Sequence, residues 1–191
     1  QHLRKMVTLV PQDPFLFSTS LRENLTYDEP TRGEALLMDA ADAAGLTSAI
    51  ADFTDGLDTI VGERGQTLSG GQKQRATLAR GLVRNSPILL LDDCFSAVDT
   101  ETEERILSGL ARMRGDKTTI LISHRVSTAR HADRIFIIDN GHITESGTHD
   151  ELIAHEGYYA DLAAVQSDQD DDRARKSNLL RNLVDEEELA F

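Results

Sequence analysis

Leu68-Ser69-Gly70-Gly71-Gln72, with Ile88-Leu89-Leu90-Leu91-Asp92-Asp93 beginning twenty residues after Leu68, is the stretch that decides the fold. Ser69-x-x-Gln72 has the form of a capping box, in which serine and glutamine side chains each satisfy a backbone N–H at a helix start. Ser69 is the expected N-cap. Gly70 and Gly71 carry no Cβ, so a ligand can approach the backbone closely. A helix start also has unpaired N–H groups and a partial positive charge, which suits a phosphate. Capping boxes open many ordinary helices, so the strand that follows decides the reading. Residues 88–91 are apolar throughout, the pattern of a strand covered on both faces in a parallel sheet. Ligands of open α/β sheets gather at the carboxyl ends of strands. Asp92 stands at such an end, where a carboxylate can hold magnesium shared with water and phosphate. A phosphate grip followed by a magnesium carboxylate points to a nucleoside triphosphate.

Three further residues extend the site. Asp93 adjoins the metal ligand, placed to hold a water in line with a leaving phosphate. His124 follows the strand expected at 118–123, where an imidazole can donate to a γ-phosphate or orient the attacking water. Gln12 follows a strand expected at 6–10 and offers a neutral oxygen to a metal or a water. Each has an ordinary alternative as a turn residue or a structural histidine. Their common place at strand ends is what favours chemistry.

Around these residues the chain reads as α/β. A helical region is expected over 34–52, with Ala35, Leu36, Ala40, Ala43 and Ala44 on its apolar face and Gly45 interrupting it. The next helix spans 72–84, buries Ala76, Ala79, Leu82 and Val83, and is stopped by Asn85-Ser86-Pro87. Helix 100–113 turns Ile106, Leu107, Leu110 and Met113 toward the core. A polar connection separates strand 118–123 from strand 135–139. Asn140-Gly141 marks a hairpin into strand 142–145, and Thr148-x-x-Glu151 opens a last short helix. Strands alternating with helices make a layered α/β domain. The expected divisions are 1–30, a helical insert at 31–86, a second lobe at 87–165, and a tail at 166–191.

The 191 residues suffice for one domain with a real core, and their net charge of −13 argues against a basic face for nucleic acid. Part of the acidity is local: Asp168, Asp170, Asp171, Asp172 and Asp185 to Glu188 make the tail an expected solvated, mobile end. Cys94 is the only cysteine, which excludes an intramolecular disulfide and suits a reducing compartment. No apolar run approaches the roughly 20 residues of a bilayer span. The chain opens on Gln1 with a strand following almost at once, so Gln1 is expected to be a cut through a longer polypeptide.

Together these segments resemble the nucleotide-binding domain of ATP-binding cassette (ABC) transporters. LSGGQKQR at 68–75 matches the family signature, and ILLLDD at 88–93 resembles the Walker B strand. SAVD at 96–99 is similar to the D-loop, ISHR at 122–125 to the switch-histidine segment, and VPQDPFLF at 10–17 to the Q-loop. VGERG at 61–65 and the segment 141–162 resemble stretches typical of exporters. The resemblance covers residues 1–165. It implies an ABC-type P-loop NTPase fold, partial here, with a parallel-sheet catalytic lobe and an inserted helical subdomain. It also implies ATP and Mg2+ as ligands, and a second nucleotide-binding domain and exporter transmembrane domains as partners at the cytoplasmic face of a membrane. Asp93, His124 and Gln12 would be catalytic. Asp92 and Gln12 would hold the metal. Ser69, Gly70, Gly71, Gln72 and Asp99 would contact ATP, the first three gripping the γ-phosphate of a molecule held mainly by the opposite subunit. Gln12 and Phe15 would face the membrane domains.

The chain departs from the family pattern in three places. G-x-x-x-x-G-K-[ST] is absent among its 13 glycines, so the Walker A loop is expected upstream of Gln1 and the chain alone is expected to be inactive. Asp93 stands where the family usually has Glu. Basicity changes little, but the carboxylate is withdrawn by roughly an ångström, a misplacement that can cost on the order of a hundredfold in rate. Beside an intact signature, the resemblance to exporters implies the degenerate-site half of a heterodimer as the expectation, with a homodimer using Asp93 as the alternative. Gly81 replaces the usual Ala, which costs roughly 0.5–1 kcal/mol in a helix interior. Two other classes remain open, a non-catalytic regulatory module and a DNA-repair or chromosome-maintenance ATPase. The second would need coiled-coil insertions, and no sustained heptads occur.

Overall fold

The computed structural model describes residues 2–62, 68–95 and 98–167. The acidic part of the tail, the last three residues of the VGERG segment and the first half of SAVD lie outside the described residues. The described residues fall into two compact units, divided between His124 and Arg125.

The first unit is built on three parallel strands, β1 (Val7–Val10), β2 (Ile88–Asp92) and β3 (Thr118–Ile122), in the order β1-β2-β3. Helix α1 (His2–Met6) precedes β1, so Met6 ends a helix instead of starting the strand. Between β1 and β2 lie α2 (Leu21–Leu25), α3 (Glu34–Ala43), α4 (Thr47–Ala51), a short 3-10 turn (Gly56–Asp58) and α5 (Gly70–Val83). Helix α6 (Thr100–Arg114) connects β2 to β3. The parallel α/β architecture is the one the alternating pattern requires.

The helical region at 34–52 is two helices, broken where Gly45 adopts φ +65°. Its buried face is Leu37, Ala40, Ala41, Ala43 and Ala44; Ala35 is exposed and Leu36 only partly packed. Ala35, expected on the apolar face, is exposed because α3 packs against α5 and α6 through its other face. Helix α5 buries Ala76, Ala79, Leu82 and Val83 as expected.

One expectation fails in the sheet. Leu89 and Leu91 are fully buried together with Val10, but Ile88 and Leu90 are only half-buried, and Leu9, Ile120 and Ile122 are exposed. Only one face of β2 is covered by the described residues. An unbroken apolar run reports that both faces are apolar and cannot report which of them has a covering layer.

Two close approaches shape the packing. A Cβ on Gly81 would come within 2.6 Å of Val10 Cγ2, so the missing methyl lets α5 lie against β1. A Cβ on Gly109 would meet Ala43 Cα and O at 2.8 Å, where α6 crosses α3. Arg114 is buried and ties the end of α6 to the starts of β2 and β3, donating to Ser86 O at 2.6 Å, Pro87 O at 3.1 Å and Thr118 O at 2.8 Å. Burial lowers its pKa, and the carbonyl acceptors satisfy the buried charge.

The second unit holds α7 (Val126–Ala129), an antiparallel hairpin of β4 (Ile135–Asp139) and β5 (His142–Gly147), and α8 (His149–Ala154). Helix α7 lies inside the stretch expected to be a polar connection. The Thr148/Glu151 capping box forms as expected. A further helix at 158–167 was not foreseen. Glu145 explains its start: the carboxylate accepts from Tyr158 N at 2.7 Å and Tyr159 N at 3.3 Å. A side chain at Gly157 would collide with it, since a Cβ would lie 2.7 Å from Glu145 Oε1.

Candidate nucleotide site

Parallel register explains why residues far apart in sequence meet. Val10 pairs with Leu91, and Asp92 pairs with Ile122, so all three strands end at one edge of the sheet. The residues just past those ends are Gln12, Asp93 and His124. Asp93 N donates to Ile122 O at 2.9 Å, extending the β2–β3 pairing by one residue. Asp93 has φ +43°, a left-handed conformation that Asp and Asn tolerate better than longer side chains. Its carboxylate, 14% exposed, lies 3.2 Å from His124 Nδ1 and accepts from Gln12 Nε2 at 3.3 Å. The His124 side chain is 70% exposed. Three of the expected site residues are thus in contact, and half-buried Asp92 precedes them as the last residue of β2.

The second cluster is the start of α5. Ser69 is the N-cap: its Oγ accepts from Gln72 N at 3.2 Å, and Gln72 Oε1 accepts from Ser69 N at 2.9 Å. Gly70 has nothing within 4 Å of an added Cβ and needs no positive φ. Nothing in the fold therefore requires glycine there, which leaves room on the solvent side for a group approaching the backbone. Ser69 and Gly70 are exposed.

Asp99 is the N-cap of α6, accepting from Thr102 N at 2.9 Å. That hydrogen bond holds its carboxyl below the ordinary range. Burial lowers the Arg75 pKa, with the negative charge of Asp99 pulling the other way.

Sequence reading missed two residues that hold the loop after β1. Asn24 is fully buried; its Oδ1 accepts from Phe17 N at 2.8 Å, and its Nδ2 donates to Phe17 O and Ser20 O at 3.0 Å. Arg80, on α5, donates from Nη2 to Phe15 O at 2.8 Å. The signal for α2 was available, since Ser20-x-x-Glu23 is a capping box like the one at Ser69 and forms as one.

The donor set fits magnesium in one respect. Among the described residues no three His, Cys, Asp or Glu side chains converge as a metal site. Magnesium needs no all-protein cage, because water and phosphate supply most of its shell. Half-buried Asp92 at the end of β2 offers an oxygen donor of the kind magnesium takes. The α5 start fits a terminal phosphate.

A family model described as ABC transporter matches residues 1–96, half of the chain. The chain belongs to the ABC transporter family. Relatives include multidrug export ATP-binding/permease proteins of Staphylococcus aureus strains COL and N315, each 46% identical over 165 residues. The match covers 86% of this chain and 28% of each of those proteins, so the chain spans little over a quarter of their length. A bacterial Atm1-family ABC exporter, solved with ATP bound, superposes with a TM-score of 0.78 at 43% identity, over 86% of this chain and 29% of that one. The ABC fold read from the sequence and the exporter affinity are thereby established. Among the described residues of this ABC chain, no helix is long and apolar enough to cross a membrane.

Proposed function

We propose that this chain is part of the ATP-binding and ATP-hydrolysing component of an exporter, working at the cytoplasmic face of a membrane beside transmembrane domains and a second nucleotide-binding domain. The observation that carries the reading is the contact of Gln12, Asp93 and His124 at one edge of a parallel sheet. Hydrolysis moves the γ-phosphoryl group to water, and little covalent chemistry falls to the protein beyond positioning and electrostatics. Asp93 orients the attacking water and His124 holds Asp93. Asp92, with Gln12, holds Mg2+, which offsets phosphate charge when bound. Ser69, Gly70, Gly71 and Gln72 present the α5 helix start to the γ-phosphate of a nucleotide held mainly by the second domain. Asp99 fixes the start of α6 beside that interface. Residues 1–191 by themselves lack a lysine-bearing phosphate loop and are inactive in this reading.

The shorter carboxylate of Asp93 makes this the weaker hydrolytic half of a heterodimer, whose intact signature completes the partner's site. A second reading, a homodimer in which Asp93 itself supports turnover, draws on the 3.2 Å Asp93–His124 contact. The test is ATP turnover by the full transporter carrying this sequence, in lipid vesicles. Ser69→Arg should abolish turnover and Asp93→Asn should leave it nearly unchanged. A large loss from Asp93→Asn selects the homodimer, and absence of turnover in the unaltered transporter overturns both.

A further inference from the structure

Residues 12–18 form a loop whose aromatic side chains face solvent while its backbone is held from below. Phe15 is 59% exposed and Phe17 44% exposed, and their rings pack edge to face at 5.0 Å. Tyr27 lies 6.1 Å from Phe17. Beneath them, Asn24 fixes both backbone groups of Phe17 and Arg80 fixes the carbonyl of Phe15. Arg80 stands over the Tyr27 ring at 5.7 Å, and burial lowers its pKa. The guanidinium is half-buried, and its 2.8 Å hydrogen bond to the Phe15 carbonyl and its place over the Tyr27 ring both hold it against the loop.

The two ties differ in what they join. Asn24 belongs to α2, close by in sequence. Arg80 belongs to α5, 65 residues from Phe15. Helix α5 is continuous from Gly70 to Val83 and begins at the Ser69 cap. Arg80 is about 15 Å along that helix from Gly70, at 1.5 Å per residue. Displacement of the Phe15 backbone therefore pulls on the same rigid body that presents the phosphate-gripping start.

We propose that Arg80 is a positioning residue that couples the exposed Phe15–Phe17 loop to the Ser69–Gly71 helix start. The role rests on the function proposed above, because it gives the loop's displacement a consequence for nucleotide. It adds a residue outside the nucleotide site to the machinery that times hydrolysis.

The test is a double-mutant cycle of Phe15→Ala and Arg80→Ala in the full transporter, with ATP as the only probe. Phe15→Ala is expected to change kcat in the otherwise unaltered protein and to have no effect in the Arg80→Ala background, with a coupling of about fivefold or more. Arg80→Lys keeps a donor and a cation over Tyr27 and should restore most of the coupling. Hydrogen exchange at residues 69–71, which do not line the cavity shared by Phe15 and Lys73, is read in parallel on the same purified proteins. Phe15→Ala should alter it only while Arg80 is present. Additive kcat effects, or an exchange response to Phe15→Ala that persists without Arg80, overturn the proposal. The second outcome would point to Lys73, which lines a cavity with residues 14–18. A transporter without ATP turnover defeats the functional reading, and the exchange arm then still decides whether Arg80 couples the loop to the helix.

Discussion

His124 Nδ1 sits 3.2 Å from Asp93 Oδ1, with the imidazole largely in solvent and the carboxylate largely out of it. The pair is assembled by backbone pairing, since Asp93 N bonds to Ile122 O two residues before His124. Neither side chain is needed to bring the strand ends together. His124→Ala should therefore leave stability within about 0.5 kcal/mol, as surface substitutions do. In the heterodimer reading its effect on turnover is also small, within about threefold, since the other site carries hydrolysis. A loss on the order of a hundredfold, the scale of a missing acid–base group, would instead assign catalysis to this pair. Asp93→Glu restores reach but places a longer side chain at φ +43°. It should raise turnover at this site while lowering the melting temperature slightly.

Gly81 illustrates a residue whose reason was invisible in the sequence. Helix propensity alone says Gly81→Ala should gain about 1 kcal/mol. The 2.6 Å approach of its Cβ to Val10 Cγ2 says the reverse, because Val10 is buried and branched. Overpacking costs about 1–3 kcal/mol, so a net loss is expected. Val10→Ala should remove most of that loss in the double variant. Gly109→Ala should cost more, since its Cβ meets Ala43 backbone, which cannot rotate away. Urea midpoints of the single and double variants measure both.

The capping boxes, the hairpin at Asn140-Gly141 and the burial of α5 were legible because each rests on local geometry or helical period. The positions of Gln12, Asp92, Asp93 and His124 at or just past strand ends were legible for the same reason. What escaped was long-range. Arg114 lies at a helix end, yet it is buried and donates to carbonyls of two other segments, 86–87 and Thr118. Asn24 and Arg80 act on a loop whose backbone polar groups no pattern announces. Leu9 and Ile120 look like core and are exposed, because apolarity does not say which face is covered.

Asp99 gives a pH signature. Its carboxyl lies below the ordinary range because Thr102 N donates to it, so its charged form favours the folded state. That contribution is complete above the unfolded pKa, about 3.9, and is lost as pH falls through the lower folded value. Asp99→Ala removes the cap and should cost about 1 kcal/mol at pH 7. The gap in melting temperature between the two proteins should close as pH drops below about 4. Asp99→Asn keeps a cap without the charge, so its pH dependence relative to Asp99→Ala should be flat. An unchanged gap at low pH would mean that the cap acts through shape alone.

Cys94 follows the two aspartates and is 3% exposed. Burial pushes its thiol up to about 12, and the neighbouring charges of Asp93 and Asp92 push the same way. Only the thiolate reacts. Both access and ionisation are therefore withheld in the folded protein, and alkylation at pH 8 should require opening of the β2 end. Labelling by iodoacetamide should be slow in native buffer and should accelerate with urea along the unfolding transition. Gly81→Ala should raise the logarithm of the native labelling rate in proportion to the stability it loses, which ties the thiol to global opening. Rapid labelling in native buffer, unaffected by Gly81→Ala, would show that the segment after Asp93 opens on its own.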